Sequence, residues 1–147
     1  MGTTNLDALE LASTLAVAGA ATFSDGISGS ITYTSVARTA TSDGTGTGTI
    51  AAAGLLQFVA VTSGNVAHIV TLPTPTPGTI IVLYVGANGF ELRTSAPATI
   101  AINGGAGADA ESAIAANQMV CVVCTSATTW HGWEITGATL TAIEAAA

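Results

Sequence analysis

The chain has 147 residues and a formal net charge of −7, and its only basic residues are Arg38 and Arg93. Nucleic acids and anionic membrane surfaces both need clustered Lys and Arg to neutralise phosphates, so neither is expected as a partner. Hydrophobic residues make up 49% of the chain but aromatics only 5%. A domain whose core is filled by small side chains buries little area per residue and gains from oligomerisation.

Asp7 and Glu10 stand where a secretory leader would be basic. The longest purely apolar run, 80–85, is far short of the ~20 residues a spanning helix needs. From residue 9 to 23 the odd positions, including Leu9, Leu11, Leu15, Val17 and Phe23, form an apolar face of period two. Residues 6–11 also fit one or two helical turns. The alternating stretch has no sequence-adjacent hairpin partner, so it reads either as an edge strand or as an arm that packs on something outside its own domain. Ser24-Asp25-Gly26 and Ser42-Asp43-Gly44 are turn signals flanking a short strand through Ile31, Tyr33 and Ser35. The GTGTGT run of 44–49 reads as a loose loop.

Residues 55–61, 66–72 and 79–85 are rich in Val, Ile, Leu and Thr and predict strands. Pro73, Pro75, Pro77 and Gly78 break the last two apart, because proline donates no amide to a ladder. The run IIVLYV is apolar at every position, which predicts a central strand covered on both sides. Further short strands are expected at 90–94 and 99–102, then a glycine loop at 103–110 and a helical turn or loop at 110–118. Residues 119–124 and 130–135 predict a hairpin, and the alanine-rich tail is expected to fray. The pattern as a whole predicts an all-β fold: a small antiparallel sandwich or barrel (31–137) with an extended N-terminal β arm (1–30) and a C-terminal tail (138–147).

No chemistry-bearing motif survives inspection. Cys121 and Cys124 have CxxC spacing, but residues three apart on a strand face opposite ways, so buried thiols in a compartment that is not strongly oxidising are expected. The G-x-G-x-x-A match at 105–110 lacks a βαβ context. His68 reads as a structural strand residue, and His131 and Glu134 cannot share a strand face. No G-x-S-x-G elbow is present. No enzyme activity, cofactor or metal is expected. The threonines at 45, 47 and 49 would suit an ice- or sugar-binding array, but no 20–50-residue period accompanies them. Trp130 and Trp133 should face opposite sides of their strand, one in the core near Cys121 or Val123 and the other at a subunit or partner interface.

From TLPTPTPGTIIVLYVGANGFELRTSAPATIAINGG through an Ala/Ser-rich loop to MVCVVCTSATTWHGWEIT, the order of segments resembles the small β modules of virion proteins of tailed bacteriophages. TLAVAGAATFSDGISG is similar to segments repeated in phage fibre and spike proteins. The resemblance implies a homotrimeric virion part. The small size favours a capsid decoration (cement) protein, made in the host cytoplasm and bound to the major capsid protein on the capsid exterior. A tail-fibre, spike or adhesin module that binds a receptor or glycan is the alternative. The expected oligomer or capsid contacts are Leu9, Leu11, Leu15, Val17, Phe23, Trp130 and Trp133.

Overall fold

The computed structural model describes residues 35–136 and 139–147; the candidate arm lies outside them. The described chain is all-β. Its strands are β1 (Val36–Thr39), β2 (Leu56–Thr62), β3 (Ile69–Thr71), β4 (Ile80–Val85), β5 (Phe90–Arg93), β6 (Ala101–Ile102), β7 (Glu111–Ile114), β8 (Met119–Ser126), β9 (Thr129–Thr136) and β10 (Thr139–Ala142). A seven-stranded sheet runs β1-β2-β4-β8-β9-β10, with β6 also paired to β9, and a three-stranded sheet runs β3-β5-β7. Among the described residues no helix is long and apolar enough to cross a membrane.

The expected antiparallel sandwich or barrel is replaced by a mixed arrangement with solenoid-like stacking. From β2 to β5 the chain alternates between the two sheets, and successive passes pair in parallel. Val36 pairs with Val59, 23 residues on, and Val59 with Leu83, 24 residues on. In the second sheet Thr49 bridges Thr71, and Thr71 pairs with Arg93, each 22 residues on. The stack then closes with antiparallel strands: β7 on β5, and the β8–β9 hairpin on β4.

Alternation within each strand builds one core. Val59 and Val61 of β2, Ile81, Leu83 and Val85 of β4, and Val120, Val122 and Cys124 of β8 point inward against Val70, Leu92 and Ile114 of the smaller sheet. Trp130 fills this core and is fully buried.

Three further expectations are corrected. The stretch 110–118 contains a strand, β7, because pairing with β5 satisfies its backbone where no helical face exists to be buried. The threonine-glycine run is ordered. Asp43 accepts from the Thr45 amide (3.1 Å) and the Thr45 hydroxyl (2.9 Å), and Thr71 Oγ1 donates to the Gly44 carbonyl at 2.8 Å. Nor does the C-terminus fray. Ile143 and Ala146 are buried, and the amides of Glu111 and Ala147 each donate to the other's carbonyl. Asn103, in the left-handed region at φ 50°, clamps the tail: its Nδ2 donates to Ile143 O (2.7 Å) and Gly132 O (3.0 Å), while Oδ1 accepts from Gly132 N at 2.9 Å.

Candidate functional site

The feature that stands out is the outward face of the large sheet. The period of two that sends Ile81, Leu83 and Val85 inward must send Ile80, Val82 and Tyr84 outward. Register lines these up with neighbours of the same kind. Ala60, Tyr84, Met119 and Ile135 form one row across the strands; Phe58, Val82, Cys121 and Trp133 form a second; Leu56, Ile80, Val123 and His131 form a third. The run IIVLYV is therefore covered on one side only, contrary to its sequence reading. Tyr84 is 57% exposed, Met119 42%, Ile135 41% and Ile80 36%.

No ionised side chain sits in these rows. Glu134 lies opposite Val120, on the inward side of the sheet. Strand spacings of ~4.8 Å and a side-chain repeat of ~6.8 Å give the patch a projected area of roughly 300–400 Å². That is comparable with the largest apolar patch of a typical monomer, which is often functional. A shallow hollow of about 290 Å³ lies on it, lined in part by Ser35, Phe58, Val82, Tyr84 and Met119.

The residues expected to make contacts fall in three places. Leu9, Leu11, Leu15, Val17 and Phe23 lie outside the described residues. Trp130 lies on the inward side opposite Cys124, fully buried, with its indole N–H unpartnered. Trp133 lies opposite Cys121 on the outward side, half-buried and stacked on His131 with ring centroids 6.2 Å apart. The two indoles thus occupy opposite sides of β9, and the one near Cys121 is the outward one. Phe58, Tyr84, Met119 and Ile135 belong to the same face but read as core in the sequence.

The chemistry of the described residues is sparse. Cys121 faces outward and Cys124 inward, both are free, and burial pushes both thiols up. A raised thiol pKa disfavours the thiolate that nucleophilic or metal-binding roles require. No group of three or more His, Cys, Asp or Glu could hold a metal ion among the described residues. Arg93 and Glu111 pair across β5 and β7 as a partly exposed ion pair. Burial, with the charges of Glu111 and Glu144 nearby, holds the Glu91 carboxyl above its ordinary range. His68 precedes β3, its amide donating to Asn65 O at 3.0 Å in a tight turn. No family model, curated protein or solved structure matches this chain.

Proposed function

We propose that this chain is a structural virion protein, a homotrimeric capsid decoration protein that binds the major capsid protein on the shell exterior. The observation that carries the reading is the charge-free apolar face centred on Tyr84, Met119 and Trp133. Such a face is costly to leave in water and is suited to a subunit or shell contact. A second support is electrostatic. Copies of a chain with net charge −7 repel one another, so they associate best through a surface without ionised groups. Symmetric assembly also compensates for a core of small side chains. The reading assigns the protein no catalysis, cofactor, nucleic acid or membrane.

A tail-fibre, spike or adhesin module is the second reading. The parallel stacking of β1, β2 and β4 favours it, because stacked coils extend readily along a fibre axis.

Copy number in purified particles separates the two. Quantitative mass spectrometry giving hundreds of copies per virion is the expected result for decoration, and a handful of copies would overturn it in favour of the fibre. Sedimentation equilibrium tests the oligomer independently: a trimer is expected at micromolar concentration, and a monomer there removes the assembly reading.

A further inference from the structure

The cavity at the end of the two sheets lies on the inward side and shares no residue with the apolar outer face except through its strands. It has a volume of about 280 Å³ and is walled by Ala52, Leu55 and Pro73, with Gln57 and Thr79 also lining it. Gln57 is 7% exposed and Thr79 5%. Gln57 occupies an inward position of β2, two residues before Val59, where the alternation calls for an aliphatic side chain. Its amide nitrogen is buried without a hydrogen-bond partner. A buried, unpaired amide costs about 1–3 kcal/mol, so this one needs either a reason or a partner from outside the chain.

We propose that this cavity is a binding site for an acetamido group, presented by an N-acetylated amino sugar. The argument is one of complementarity. A primary amide such as Gln57 offers both donor and acceptor, and a secondary amide returns both. The acetyl methyl suits the apolar wall of Ala52, Leu55 and Pro73. No residue lining the cavity is ionisable, so a charged ligand would enter without a counter-charge and pay its full desolvation cost. The volume falls just below the ~300–1,000 Å³ of sites that engulf drug-sized ligands, so it admits one substituent with the ring left at the mouth. There the exposed hydroxyls of Thr74 and Thr76 can meet ring hydroxyls. The wall is also stiff. Pro73, Pro75 and Pro77 fix their φ angles, and Gly54 takes φ 65° to turn the opposite loop. A preformed wall reduces the ordering cost of binding.

The test is saturation-transfer NMR on the full chain with N-acetylglucosamine, N-acetylgalactosamine, glucose and an N-acetylated dipeptide amide as probes. The expected result is transfer concentrated on the acetyl methyl of the two amino sugars, none to glucose and weaker transfer to the peptide. Gln57→Leu should weaken amino-sugar binding at least tenfold while leaving the far-UV circular dichroism unchanged and raising Tm, since it removes the unpaired amide. Gln57→Glu, which brings an anion into the same place, should also abolish binding. Absence of transfer to either amino sugar at tens of millimolar overturns the proposal, as does binding unchanged in Gln57→Leu. Equal transfer to glucose overturns the acetamido assignment, and stronger transfer to the dipeptide replaces the sugar with a peptide. None of these results depends on the oligomeric state or on copy number, so this proposal and the assembly reading fail separately.

Discussion

Tyr84→Asp is the most direct probe of the apolar face. An aromatic side chain can bury about 200 Å², and Tyr84 is 57% exposed, so a partner covering it removes about 115 Å² from water. At about 25 cal/mol/Å² that burial is worth about 3 kcal/mol, or about 100-fold in each subunit contact. The introduced carboxylate must also be desolvated between Ala60 and Met119, its register neighbours, which adds to the loss. The monomer should suffer little: position 84 already faces solvent, and the strand penalty of Asp is at most about 1 kcal/mol. Tyr84→Thr separates the two effects by removing the ring while retaining a good strand former. Sedimentation equilibrium from nanomolar to tens of micromolar, alongside urea unfolding, reads both quantities. Expected are association weakened by two orders of magnitude or more in the Asp variant, an intermediate loss in the Thr variant, and unfolding midpoints close to the parent's. An Asp variant that associates with the parent's constant refutes the reasoning, because the face would then lie outside the contact.

Three smaller perturbations test the description of the fold. Asn103→Ala deletes three hydrogen bonds that tie Gly132 and Ile143 to one side chain and leaves a poor residue for φ 50°; a loss of about 3–4 kcal/mol is expected in urea unfolding, and a loss below about 1 kcal/mol would show that the clamp is dispensable. Gly105→Ala would place its Cβ 1.9 Å from the Ala146 carbonyl oxygen, so the tail must shift at a cost of about 1–3 kcal/mol, seen as faster amide exchange at Ala146 and Ala147; unchanged protection there would contradict the packing. The folded-state pKa of Glu91 is raised, first by burial and then by Glu111 and Glu144, so its ionisation costs stability as pH rises from the unfolded value near ~4.3 through the higher folded value. Glu91→Gln should therefore raise Tm at pH 7 and lose that advantage below about pH 4; a gain that is constant with pH would assign the effect to something other than charge.

The parts of the fold legible in the sequence are those whose signal is local. The β8–β9 hairpin follows from two β-type runs close together, and β2 and β4 from their Val, Ile and Leu content. The parallel stacking was not legible, because its 22–24-residue offsets are carried by backbone hydrogen bonds between unlike residues such as Leu56 and Ile80 or Thr71 and Arg93. No identity repeats at that spacing, so a search for recurring motifs passes over it. β7 illustrates the same limit. Glu111–Ile114 has little intrinsic strand preference, and its state is decided by pairing with β5, a contact 21 residues distant between Leu92 and Ser112 and 24 between Phe90 and Ile114. The tail was misjudged because alanine carries little burial signal, yet Ala146 is small enough to fit against Gly105 where a larger side chain would not.

The candidate face was half legible for a reason that also gives it meaning. Trp133 could be assigned a side opposite Trp130 by counting along β9, since three residues of strand reverse direction. Tyr84 and Ile80 could not be distinguished from core, because hydrophobicity records that a side chain avoids water and not which body shields it. A run apolar on both faces demands two covers, and the inward one is supplied by Val70, Leu92 and Ile114. The described residues leave the outward face of Tyr84, Met119 and Ile135 largely in water. The expectation of double burial at IIVLYV is thus incorrect for the described body alone but becomes correct for an assembled protein, and on that reading the strand was composed for the trimer rather than the monomer.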